Sequence, residues 1–167
     1  MTQHSPVAEA PARADWRRII LSPVPIALVV GTAITAALGA LGVPGTDGWQ
    51  AALRGGLALM FLIAASGRLG RHRAGLIAMV PPRLPKPGLI VAVTGVLEAA
   101  GAVGLWLPPT ERAAAICLGL LLIAVFPANV RAARERIDLA GEPATPLLPR
   151  TIEQLVYLAC CIAVAIG

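Results

Sequence analysis

Five long apolar segments decide what this chain can fold into. A transmembrane helix needs about 20 mostly apolar residues, and segments near 17 still suffice. Five stretches meet that requirement: 19–41, 49–66, 88–107, 113–130 and 152–167. Each is continuously apolar rather than alternating, which is the pattern of helices buried in a bilayer. The sequence therefore predicts an all-α integral membrane helix bundle.

Composition supports one compact membrane domain and excludes nucleic acid as a partner. The 167 residues are 57% hydrophobic and 14% charged, whereas soluble domains carry about 25% charged residues. The net charge of +5 comes from arginines in short loops, without the aromatic side chains that single-strand binders interleave with basic ones. We expect a disordered cytoplasmic tail over 1–18 and a single transmembrane domain over 19–167.

Basic residues predict the orientation in the membrane. Of the 14 lysines and arginines, only Arg54 and Arg112 fall in or beside the first and third loops. The others lie in the N-terminal segment and in the second and fourth loops. Cytoplasmic loops are enriched in Lys and Arg. The N-terminus is therefore expected in the cytoplasm and the C-terminus outside, in an inner or plasma membrane.

The first apolar segment has two interpretations. Trp16, Arg17 and Arg18 precede it and loosely resemble a twin-arginine export signal, whose cleavage would leave four helices. However, the run over 19–41 is longer than the 7–15 residues or so of a signal-peptide core. Arginines before a first helix are also ordinary anchors. We favour a retained helix.

The second loop, 68–87, contains four prolines and is too long for a tight turn. Its first part, 68–79, is either a basic amphipathic segment on the membrane surface, with Leu69, Ile77 and Met79 inserted, or a solvated loop. The pattern does not separate the two.

Glu98 is a carboxylate within the third apolar segment. An ionisable residue at that depth is costly and marks a functional site by default. Gly95 and Gly101 share its side of the helix, so this face is expected to point into the bundle. Measured from the segment ends, Arg54 and Glu98 differ in depth by about 6 Å. We expect them to form an ion pair; the alternative is that Arg54 extends outward to lipid headgroups.

A second polar group is expected near the cytoplasmic side. Asn129 lies near the end of the fourth segment, Gln154 lies near the start of the fifth, and Arg150 comes just before the fifth. At similar depth, the three could form one hydrogen-bonded cluster. Alternatively, amides here only hold helices together, at about 0.6 kcal/mol each. Pro127 predicts a kink in the fourth helix. The candidate ligand-binding residues are thus Arg54, Glu98, Asn129, Arg150 and Gln154.

The sequence offers little for catalysis by this chain alone. It has no phosphate-binding loop, no serine-hydrolase elbow and no zinc-protease motif. Its two histidines, His4 and His72, lie outside the apolar segments. The three cysteines lie inside them as expected small apolar fillers. We predict no metal site and no catalytic residue, and leave open whether the protein is part of an enzyme.

Several motifs together resemble the DoxX-like membrane protein family. They are Arg54-Gly-Gly-Leu-Ala-Leu-Met-Phe61 continuing to Arg68, the proline-rich stretch 79–87, Thr94-Gly-Val-Leu-Glu98-Ala-Ala-Gly101, Phe126-Pro-Ala-Asn129, and Arg150 with Gln154. The resemblance runs from about residue 53 to the end. It implies a four-helix core with one added N-terminal helix. The chain departs from the family at Arg68, where members often carry His or Lys, and at Ala65, where they often carry Gly. Arginine keeps the positive charge at position 68, but a group that titrates near neutral pH is lost.

The resemblance also implies a class of function. Members resemble the small membrane subunit linked to thiosulfate:quinone oxidoreduction, so we expect an accessory or subunit protein that binds a quinone or lipid and works with a soluble or membrane redox partner. The alternatives are a structural or assembly factor for other membrane proteins and a small-solute transporter, for which a homo-oligomer would supply the missing repeats.

Overall fold

The computed structural model describes residues 20–167, which form six helices. They are α1 (Pro23–Ala40), α2 (Gly48–Gly67), α3 (Arg73–Met79), α4 (Pro87–Gly104), α5 (Glu111–Arg134) and α6 (Leu147–Ile166). All except the short α3 are long and apolar enough to cross a membrane. The five predicted apolar segments are thus confirmed as helices, and their length and composition are those of a multi-pass membrane protein. The tail predicted over 1–18, with the basic residues placed there, lies outside the described residues.

Local sequence explains most of the helix ends. Proline begins α1 and α4, where its fixed φ suits the first turn and its missing N–H is not needed. Glu111 lies in the first turn of α5 and Arg131 and Arg134 in its last, which complements the helix dipole. Helix α6 begins at Leu147 rather than near 152, because Pro149 is tolerated within a first turn.

Helices α1 and α2 approach each other closely through small residues. A Cβ added at Gly31 would lie 2.8 Å from the Gly55 carbonyl oxygen, and one at Gly55 would meet the Thr35 hydroxyl. Thr35 Oγ1 instead donates to the Gly31 carbonyl of its own helix at 2.9 Å. Small residues are what let transmembrane helices pack backbone to backbone.

The main core lies where α2, α4, α5 and α6 meet. Its fully buried side chains come from all four helices: Leu57, Met60, Phe61, Ala102, Leu105, Leu118 and Cys161. On α4 the buried positions are Val91, Gly95, Glu98 and Ala102, and Gly101 packs against Leu118. The expectation that Glu98 faces into the bundle is confirmed.

The end of the bundle where α2 and α5 finish and α4 and α6 begin is called the arginine-rich end. Here α3 packs against α4 and α5. Met79 is buried, whereas Leu69 is exposed. Arg131 donates to the Ala78 carbonyl at 2.8 Å and to the Val80 carbonyl. The segment after α2 therefore contains a short helix that packs against the bundle. The interpretation of 68–79 as a plain solvated loop is wrong.

Candidate ligand-binding cavity

A cavity of about 720 Å³ opens at the arginine-rich end between α2, α3, α4, α5 and α6, and the start of α1 also lines it. Small-molecule sites typically measure about 300–1,000 Å³ and are mostly apolar, with a few placed polar groups. Apolar side chains make up much of this lining: Met60, Phe61, Leu76, Met79, Val91, Leu122 and Val125. The polar lining groups include Arg68, His72, Thr94, Glu98, Asn129, Arg150, Glu153, Gln154 and Tyr157.

Glu98 is held by Arg68, not by Arg54. Arg68 Nε donates to Glu98 Oε2 at 2.7 Å, and Arg68 Nη2 donates to Oε1 of the same carboxylate. The side chains are 13% and 6% exposed, so the pair is largely withdrawn from solvent. A guanidinium bound side-on to a carboxylate is among the strongest and most directional pairs in proteins. The pair forms one polar wall of the cavity.

Gly95 makes this pair possible. Arg68 directly follows α2, and its side chain passes across α4 at Gly95. A Cβ at Gly95 would lie 2.7 Å from Arg68 Cδ. Glu98 follows three residues later on the same face of α4. Glycine therefore leaves the space through which the arginine reaches the carboxylate.

The predicted Arg54–Glu98 pair is wrong. Arg54 pairs with Glu111 at the opposite end of the bundle. The prediction assumed that the ends of α2 and α4 lie at the same depth in the membrane. Arg68 lies beside Gly95, and Arg54 is about 21 Å further back along α2. In an antiparallel pair this carries Arg54 beyond the end of α4, to the level of Glu111. There it lines a separate small cavity of about 110 Å³.

The second predicted cluster forms in part. Arg150 Nη1 donates to Asn129 Oδ1 at 3.1 Å, and Arg150 Nε donates to the Thr145 carbonyl at 3.1 Å. Gln154 does not join them, because its Nε2 donates to the Leu122 carbonyl of α5 at 2.5 Å. Helix α5 itself continues past Pro127 to Arg134. The pairing of Arg150 with Asn129 is confirmed, and Gln154 links α6 to α5 one turn deeper.

Four of the five candidate ligand-binding residues therefore surround one cavity, namely Glu98, Asn129, Arg150 and Gln154, and Arg54 does not. Their common location follows from the packing of α4, α5 and α6 at the arginine-rich end. Whether these residues bind a ligand remains a prediction.

Further polar residues of the lining were not among the predicted site residues, notably Arg68, His72, Glu153 and Tyr157. Tyr157 is 8% exposed, and its hydroxyl makes no hydrogen bond within residues 20–167. The spacing of Arg150, Gln154 and Tyr157, at i, i+4 and i+7, is the signal that could have placed it on their face of the helix. His72 precedes α3, and only the folding back of α3 brings it to the cavity.

Comparison with known proteins identifies a family but not an activity. A model of a domain of unknown function, DUF8561, matches residues 57–166, and the chain belongs to this family. No curated protein and no solved structure matches the chain. The matched region begins inside α2 and covers α3 to α6, so it includes most of the cavity lining, but not the residues that the start of α1 contributes.

Proposed function

We propose that this member of the DUF8561 family binds a lipophilic molecule, a quinone or a membrane lipid, in the cavity at the arginine-rich end. One observation carries the proposal: a largely apolar cavity of about 720 Å³ is also lined by the buried Glu98 and Tyr157 and by several half-buried polar side chains. Binding sites for small molecules combine apolar walls with a few orienting polar groups in this way.

The polar groups are suited to a ligand that carries oxygen acceptors. Arg68 is neutralised by its contact with Glu98. Arg150 and the Tyr157 hydroxyl retain N–H or O–H groups that no described residue accepts. A buried donor without an acceptor costs about 1–3 kcal/mol. Quinone carbonyls and lipid ester or phosphate oxygens are both suitable acceptors, and the apolar walls suit the chains that such molecules carry.

The DoxX resemblance extends this proposal to a working partner. It supports an accessory or subunit protein that presents a bound lipophile to a redox partner, with α2, α4, α5 and α6 as the core and α1 as the added helix. The concentration of Arg and Lys at one end favours a cytoplasmic location for the arginine-rich end, in an inner or plasma membrane.

Two variants on α4 test lipophile binding. Thr94 lines the cavity, whereas Leu97 is 51% exposed on the outer face. Lipophiles that copurify with the detergent-solubilised protein are measured by native mass spectrometry. We expect Thr94→Trp, which fills the cavity, to remove the bound species, and Leu97→Trp to keep it. Equal occupancy in both variants, or no bound lipophile in the unaltered protein, would count against the proposal.

A structural or assembly role is the second candidate, and the two ion pairs favour it. Arg68–Glu98 ties the end of α2 to α4, and Arg54–Glu111 ties α2 to the start of α5. In that case the polar groups fix how the helices pack, and the cavity is incidental. Loss of folding yield in Glu98→Gln, without a lipophile in any preparation, is the result that this second candidate predicts.

A further inference from the structure

Two opposite charges in the cavity, Arg150 and Glu153, each lack a direct contact with an oppositely charged group. Arg150 is half-buried at the start of α6 and bonds only neutral groups, the Thr145 carbonyl and the Asn129 amide oxygen. Its Nη2 group donates to no residue within 20–167. Glu153 lies one turn later, also half-buried, and forms no ion-pair contact with any described residue. It interacts with Arg150 only at a longer electrostatic range.

The other charged pair in the cavity is already satisfied. Arg68 and Glu98 bind each other side-on, so they offer no net charge to a ligand. Arg150 and Glu153 also sum to zero, but they are separated. A ligand complementary to them carries both signs in its head, with an anionic group near Arg150 and a cationic group near Glu153.

Tyr157 indicates where the rest of such a ligand lies. Its buried hydroxyl makes no hydrogen bond in the described chain, and it is about 10 Å further into the bundle than Arg150. Side chains on a helix lean toward its N-terminus, here toward the turn of Arg150 and Glu153. An acceptor oxygen between the charged head and the apolar chain would meet this hydroxyl. Phe61 and Leu122 provide apolar walls of the same cavity.

We propose that the cavity binds a zwitterionic phospholipid, with its phosphate at Arg150, its ammonium group at Glu153 and an ester oxygen at Tyr157. This inference rests on the proposed binding of a lipophile and narrows it from quinone or lipid to one headgroup chemistry. Polar head and apolar chain then follow the cavity from the arginine-rich end inward, which is the order in which a lipid lies in a bilayer leaflet.

The test compares two lipids with identical acyl chains, phosphatidylethanolamine and phosphatidylglycerol, added in equal amounts to the delipidated full-length protein. Native mass spectrometry measures the ratio of the two bound species in the mixture and, in separate titrations, the affinity for each lipid. We expect phosphatidylethanolamine to be preferred. Glu153→Gln should abolish or invert this preference, and Arg150→Gln should weaken both lipids about tenfold. Arg134→Gln, an exposed arginine at the same end, is the control and should change neither value.

The outcomes separate the inference from the proposed function. A preference for phosphatidylglycerol, or a preference that Glu153→Gln does not alter, overturns the inference of a zwitterionic headgroup. The proposed binding of a lipophile would still stand after either result. Absence of any bound lipophile overturns both. Displacement of the lipid by soluble phosphoethanolamine at similar concentration overturns the role of the apolar walls. Arg150→Gln also removes the hydrogen bond to Asn129 of α5, so this variant could fold poorly for a structural reason. In that case the lipid ratio measured for Glu153→Gln decides whether the headgroup is zwitterionic.

Discussion

Removal of one member of the Arg68–Glu98 pair should destabilise the protein strongly, and removal of both should cost much less than the sum. The two side chains are only 13% and 6% exposed, so either charge left alone is withdrawn from water. Loss of one partner of a buried pair typically costs about 3–5 kcal/mol. Glutamine keeps one acceptor at Glu98, so we expect about 3 kcal/mol for Glu98→Gln, toward the lower limit of that range.

A double-mutant cycle measures the coupling between the two side chains. We expect a coupling of about 2 kcal/mol between Arg68→Gln and Glu98→Gln, which is within the range found for residues in direct contact. This corresponds to roughly a thirtyfold effect on the unfolding equilibrium. The assay is reversible unfolding in mixed micelles with increasing denaturing detergent, followed by circular dichroism.

The same cycle with Arg54 provides the control. Arg54 contacts Glu111 at the other end of the bundle, so Arg54→Gln and Glu98→Gln should be additive within about 0.5 kcal/mol. Coupling between Arg54 and Glu98 as large as that expected for Arg68 and Glu98 would refute the stagger of α2 and α4 described above.

Two further substitutions have defined outcomes. Gly95→Ala places a Cβ 2.7 Å from Arg68 Cδ and should lower the unfolding midpoint. The control is Gly67→Ala, which has no atom within 4 Å of its added Cβ and should be neutral or stabilising by up to about 1 kcal/mol. A similar loss of stability in both variants would contradict the close approach of Arg68 to Gly95. Gln154→Leu removes the donor to the Leu122 carbonyl and should cost about 0.6 kcal/mol in the same assay, and a loss of several kcal/mol would mean that Gln154 does more than link two helices.

The membrane spans were predictable from the sequence because hydropathy over about 20 residues is a local property. The inward face of Glu98 was predictable for a similar reason, since Gly95 and Gly101 share its side of one helix. The partner of Glu98 was not. It depends on the axial offset between α2 and α4, which no pattern within either helix records.

One wall of the cavity comes from a segment whose location the sequence left ambiguous. Hydropathy could not decide whether 68–79 lies on lipid or in solvent, because its packing partner is the rest of the bundle. Its folding back as α3 brings His72 to the cavity, and Arg131 holds the segment through the carbonyls of Ala78 and Val80. Contacts of this kind join residues far apart in sequence and follow only from the tertiary structure.

The most direct test of the central claim is an experimental structure of the protein in a lipid bilayer or lipidic mesophase. The account predicts elongated density in the cavity, with a polar end beside Arg150 and a chain that runs past Tyr157 toward Phe61. A cavity that is closed by its own side chains, or filled only by ordered water between Arg68 and Arg150, would contradict it.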